Sequence, residues 1–123
     1  MEQAEKRKVL IAEDEGSIRE LLQELICEEG YSVDTAANGL EARQLLEKDS
    51  YSLLITDLKM PFINGLDLIA QARKIDEGMP IIAITGYPRE ELMTKALENG
   101  ANDCLIKPFK IDDLIDMVRR YIR

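Results

Sequence analysis

Four short apolar runs set the terms for any fold of this chain: Val9–Ala12, Leu53–Ile55, Ile81–Ile84, and Leu105–Ile106 behind Cys104. Each has the length of a strand buried on both faces. Between them lie segments of helical period. Ile18, Leu21, Leu22, Leu25 and Ile26 trace one apolar stripe, read as core, and Ile111, Leu114, Ile115, Val118 and Ile122 trace another. Tyr31–Ala36 alternates its side chains as a half-covered edge strand would. Asn38, three residues before Glu41, opens a helix over Leu40–Leu46 as a capping-box variant. Gly30 and Gly100 close helices, and Pro88 followed by Glu90 and Glu91 starts one. The order is β-α repeated five times, which predicts one α/β domain: a parallel sheet covered on both faces through right-handed crossovers.

At 123 residues there is room for one such core, and the chain shows no internal repeat, linker or low-complexity segment. Composition narrows the chemistry. With no histidine, His-based general-base catalysis, a His triad and a phosphohistidine carrier are all excluded. Twenty-four acidic against sixteen basic side chains, a net charge of −8, oppose direct binding to a nucleic-acid backbone. Cys27 and Cys104 are too few for a disulfide scaffold and lack the partners of a zinc site, so both are read as reduced thiols. No apolar stretch approaches the roughly 18 residues that would span a bilayer, and Met1–Lys8 has no signal-peptide apolar region, so the expectation is a cytoplasmic protein without membrane partners.

In a doubly wound sheet, ligands bind outside the carboxyl ends of the strands, where strand order reverses. The polar residues following the apolar runs should therefore meet: Glu13 and Asp14 after the first, Asp57 after the third, Thr85 after the fourth and Lys107 after the fifth. Carboxylates crowded at one edge repel, and a hard divalent cation with oxygen ligands relieves them. Mg²⁺ suits the role, since it keeps several waters and needs only one or two carboxylates. With the metal beside it Asp57 can approach an anionic phosphorus, while Thr85 and Lys107 engage phosphoryl oxygens. Asp57 is then the nucleophile and the product an acyl phosphate. Singly, each residue has a plainer reading. Glu13 and Asp14 can be solvated loop acids, Thr85 a turn or capping hydroxyl, and Lys107 a surface lysine. Their coincidence at one sheet edge carries the argument.

The segments Leu10-Ile11-Ala12-Glu13-Asp14-Glu15, Ile55-Thr56-Asp57-Leu58-Lys59-Met60-Pro61 with Asn64-Gly65, Ala83-Ile84-Thr85-Gly86 and Ile106-Lys107-Pro108-Phe109 resemble, in order and spacing, the four signature blocks of response-regulator receiver domains. The resemblance runs over Lys8–Ile122, leaving 1–7 as a polar tail and 8–123 as the domain. It implies a flavodoxin-like sheet in the order 2-1-3-4-5. It also implies metal binding by Glu13, Asp14, Asp57 and the Lys59 carbonyl, phosphoryl acceptance by Asp57, and phosphoryl contacts from Thr85 and Lys107. A cis Lys107–Pro108 bond is expected on the same ground. The implied partner is a histidine kinase or histidine phosphotransfer protein, docking near Ile18 on the first helix. The charged face of the last helix, with Asp112, Asp113, Asp116, Arg119 and Arg120, is either simply solvated or a partner surface.

Two positions depart from the commonest family pattern. Glu13 stands where an aspartate is frequent, and its longer arm is expected to reach a metal-bound water. Cys104 stands where many members carry an aromatic switch residue; a cysteine acts as a small buried hydrophobe, so an aromatic-rotamer switch is not expected there, though Tyr87 is nearby in sequence. The leading function is a phosphorelay carrier or signalling switch that catalyses only its own phosphorylation and dephosphorylation. Such a carrier is expected to be a monomer, with a dimer through the last-helix face as the alternative. A receiver cut from a transcription factor or hybrid kinase would look the same. A phosphohydrolase of the haloacid-dehalogenase kind would carry a second acid two residues after the nucleophile, where this chain has Lys59. A pseudo-receiver used purely for binding would not need every reactive residue type in place.

Overall fold

The computed structural model describes residues 7–86 and 90–122. Ten elements alternate: β1 (Lys8–Ala12), α1 (Gly16–Glu28), β2 (Ser32–Ala36), α2 (Gly39–Lys48), β3 (Leu53–Asp57), α3 (Gly65–Ile75), β4 (Ile81–Thr85), α4 (Glu90–Asn99), β5 (Asp103–Ile106) and α5 (Ile111–Tyr121). The five strands form one parallel sheet in the order β2-β1-β3-β4-β5. β3 and β4 are buried along their whole length, which is why their sequences read as unbroken apolar runs, whereas β2 at the edge is only half-covered.

The sheet divides the core in two. On one face Leu10, Leu54, Ile81 and Ala83 pack with Ala42, Leu68, Ile69 and Ala96 of α2, α3 and α4. On the other, Val9, Ile11, Ile55 and Ile84 pack with Leu22, Ile26, Leu114 and Val118 of α1 and α5. Burying a large aliphatic side chain contributes about 1.5–3 kcal/mol, so these two layers supply most of the favourable energy of folding. Two stripe assignments need correction. Leu21 is 41% and Ile111 49% exposed. The α1 stripe is centred on Leu22 and Ile26, four residues apart, and Leu21 is turned about 100° away from that line. Ile111 is the first residue of α5 and lines a surface groove rather than the core.

Helix ends follow local chemistry. Asn38 Oδ1 accepts from Glu41 N at 2.9 Å, while the Glu41 carboxylate accepts from Ala37 N rather than from the cap residue itself. Gly30 and Gly100 follow α1 and α4 with φ of 97° and 125°. Pro88 and Tyr87 lie outside the described residues, as does most of the polar tail. At the pole opposite the predicted site, the Arg73 guanidinium donates to the carbonyls of Asp76, Glu77, Met79 and Gly100 and to Asn102 Oδ1, tying the α3–β4 turn to the α4–β5 turn. Among the described residues no helix is long and apolar enough to cross a membrane.

Candidate functional site

The order β2-β1-β3 places the reversal of strand order between β1 and β3, and the carboxyl ends of these strands carry the acids. Asp57 and Thr85 are the last residues of β3 and β4 rather than the first of the following loops, a small shift that leaves both on the rim. In register Asp57 lies beside Ile84, and Thr85 beside Ile106, so the rim steps from one strand to the next.

Carboxylate oxygens of Glu13, Asp14 and Asp57 lie within 4.8 Å of one another, Glu13 and Asp57 buried and Asp14 exposed. Glu13 is held from several sides. Its amide donates to Ala36 O at 3.0 Å, its carbonyl accepts from Arg19 Nη1 at 2.9 Å, and its Oε2 accepts from Glu15 N at 3.1 Å. Lys107 Nζ sits 2.8 Å from Glu13 Oε1 and 3.1 Å from Asp57 Oδ2. Burial pushes the Glu13 carboxyl up to about 7, with Asp57 adding like-charge repulsion and Lys107 opposing both. Burial works against the Lys107 charge, yet Glu13 and Asp57 outweigh it and hold the ammonium above its usual range. The Lys107–Pro108 peptide is cis. Thr85 is buried at the same edge.

The loop between β3 and α3 shapes the other side of the site. Lys59 N donates to Asp57 Oδ1 at 3.2 Å, and Gly65 N donates to Leu58 O at 3.0 Å, so the loop leaves and returns at the nucleophile's own strand end. A Cβ on Gly65 would stand 2.1 Å from the Asp57 carbonyl oxygen; only glycine permits that approach. Asn64 caps α3, its Oδ1 accepting from Asp67 N at 2.9 Å. The pattern Asn-x-x-Asp signals that cap in the sequence, whereas nothing local signals the Gly65 contact. At the loop tip Phe62 has φ of 69°, with Ile63 N donating to Pro61 O across it. Such a positive-φ three-residue turn is rare, and the left-handed region costs a non-glycine residue about 1–2 kcal/mol. No local pattern in the sequence signals the turn at Phe62.

Ile18, half-buried, lines a groove of about 330 Å³ with Leu21, Lys107, Pro108, Phe109 and Ile111. A second groove, of about 400 Å³, runs from Asp14 along Leu58, Lys59, Met60, Pro61 and Asn64. Cys104 is half-buried against the α2–α4 core, its thiol pushed up by burial and by Asp103. On α5, Arg119 Nε pairs with Glu29 at 2.7 Å and Arg120 Nη1 with Asp103 at 3.6 Å.

Known proteins agree with this geometry. Sporulation initiation phosphotransferase F of Bacillus subtilis is 36% identical over 115 residues, a match covering 94% of this chain and 93% of that protein. Transcriptional regulatory protein CusR of Escherichia coli is 40% identical over 116 residues, but the chain spans only 51% of its length. Among solved structures, response regulator protein TrrA from Thermotoga maritima, in complex with Mg²⁺-BeF, superposes with a TM-score of 0.85 at 36% identity, covering 94% of this chain and 98% of that one. Residues 9–119 match the model of the response regulator receiver domain. With a five-stranded parallel sheet in flavodoxin-like order, an acidic rim and a lysine reaching into it, the chain belongs to the family of two-component response regulator receiver domains.

Proposed function

We propose that Asp57 accepts a phosphoryl group from a phosphohistidine on a histidine kinase or histidine phosphotransfer protein, and that the chain serves in the cytoplasm as a phosphorelay carrier or switch. The observation that carries this reading is the setting of Asp57: a carboxylate at the strand end, oriented by Lys59 N, contacted by Lys107 and crowded by Glu13 and Asp14. Three carboxylates whose oxygens lie within 4.8 Å of one another fit a hard cation, and Glu13, Asp14, Asp57 and the Lys59 carbonyl would hold Mg²⁺. When bound, it would neutralise charge shared between the carboxylates and the phosphoryl oxygens.

The chain's own residues do the rest. An Asp57 oxygen attacks phosphorus as the nitrogen–phosphorus bond of the donor breaks, its electron pair remaining on the imidazole. Lys107 pairs with Asp57 beforehand and follows the charge onto a phosphoryl oxygen, with Thr85 as the second contact. Ile18, on the wall of the apolar groove beside Lys107, contributes to donor docking. The catalysis is confined to the chain's own phosphorylation and dephosphorylation. Incubation with acetyl phosphate and Mg²⁺ should add one alkali-labile phosphoryl group by intact mass, and Asp57→Asn should abolish it. An equal mass increment on the Asp57→Asn variant would place the nucleophile elsewhere.

A further inference from the structure

Phe62 is the most exposed large apolar side chain among the described residues, at 81%, and it sits in the positive-φ turn at the tip of the β3–α3 loop. Both features run against folding stability. An aromatic ring left in water contributes no burial, and a glycine or asparagine would occupy the same backbone conformation at lower cost. The loop is also built to hold the backbone that carries the ring in one place. The Leu58–Gly65 hydrogen bond pins its base, and the close approach of Gly39 to the Ile63 carbonyl, where a Cβ would stand 1.9 Å away, braces the tip against α2. Phe62 is three residues from Gly65, so its Cα lies within about 11 Å of that residue, whose Cβ position would stand against the Asp57 carbonyl oxygen.

Any donor protein must bring phosphorus into contact with Asp57, and its body then covers the rim on both sides. One side already offers the apolar groove at Ile18. On the other, the groove that starts at the acidic rim with Asp14 ends along Met60 and Pro61, next to Phe62. We propose that Phe62 is a second anchor for the phosphodonor, a specificity-determining residue whose ring enters an apolar pocket on the protein that carries the phosphohistidine. Rigid aromatic side chains held out from a surface are the usual centres of binding energy, because little freedom remains to be lost on docking. Continuity of the Asp14–Pro61 groove with the phosphoryl site favours this occupant over a second copy of the chain, which would have no reason to approach Asp57. The inference rests on the proposed function.

The test compares wild type with Phe62→Gly and Phe62→Asn, both suited to the positive φ. The protein probes are purified histidine kinase cores and phosphotransfer domains, autophosphorylated and presented one at a time; the one with the highest kcat/KM toward wild type is then used throughout. Expected are thermal midpoints equal to or above wild type, acetyl phosphate labelling within twofold, and a fall of about tenfold or more in kcat/KM with the protein donor, expressed mainly in KM. Protein-donor transfer unchanged in both variants would overturn the proposal, as would an equal fall with acetyl phosphate, which would make Phe62 part of the reaction site. So would loss of a wild-type self-association in the variants. Labelling of wild type by acetyl phosphate but by no protein donor removes the donor and the proposal with it. Absence of any labelling on Asp57 is a different result and refutes the phosphoacceptor reading itself.

Discussion

Glu13 is fully buried, faces Asp57 and has the ammonium of Lys107 as its offsetting charge, so the metal-free protein holds it at a cost. Its native pKa, about 7, lies above the ordinary 4.5. The folded protein therefore binds this proton more tightly than the unfolded chain does, and the contribution of Glu13 to stability declines as pH rises from about 4.5 to about 7. The raised pKa of Lys107 acts in another window, since its contribution is present below 10.5 and is lost only above that. In metal-free buffer Glu13→Gln should melt above wild type at pH 8, and the gap should close at pH 5. A gap of the same size at both pH values would mean that Glu13 is not strained by its charge. Saturating Mg²⁺ should raise the wild-type midpoint at pH 8 and raise that of Glu13→Gln less, because ligand binding to the native state alone stabilises it.

The junction of β3 with α3 is the element on which the site depends. Gly65→Ala would drive a methyl group into the Asp57 carbonyl, 2.1 Å from the position a Cβ must take. The expected loss is about 1–3 kcal/mol in urea denaturation, with slower acetyl phosphate labelling because the strand end moves. Gly16→Ala is the control, since its Cβ would meet only Arg19 Nη2 at 3.7 Å. Equal stabilities for the two variants would show the close approach to be relaxed in solution. Much of this junction was readable beforehand. Leu53–Ile55 announces a buried strand because both faces of β3 are covered, and Asp57 follows at the strand end, where the sheet rule looks for ligands. Asn38 as a cap and Gly30 and Gly100 as helix ends were likewise legible, since capping is local chemistry. The Leu21 and Ile111 errors arose because a helical stripe fixes a direction but not how far the covering layer extends along it. The Gly65–Asp57 contact, the Arg19 bond to Glu13 and the turn at Phe62 depend on neighbours brought together only by the finished fold, and no spacing rule announces them.

At the scale of the whole molecule, the faces around α4, β5 and α5 decide between carrier and dimer. The two arginines of α5 are engaged within the chain, Arg119 with Glu29 and Arg120 with Asp103, which also accepts from the Tyr121 hydroxyl. Cys104 offers a small thiol on the α4 side of the sheet, too small to swing between two rotamers of very different reach. The beryllofluoride-bound protein is therefore expected to remain a monomer by light scattering, and a stable dimer through the α5 face would favour a receiver from a longer regulator. The divided core bears on how any signal could leave Asp57. A sheet whose central strands are buried on both sides is a stiff partition, with close-packed aliphatic side chains that yield little to a push from either face. News of a charge gained at Asp57 would not pass through the middle of that wall. It would travel around its rim, along Lys107 toward the α1–α5 compartment and along the β3–α3 loop toward the other, so that two listeners on opposite sides of the molecule could hear the same event independently.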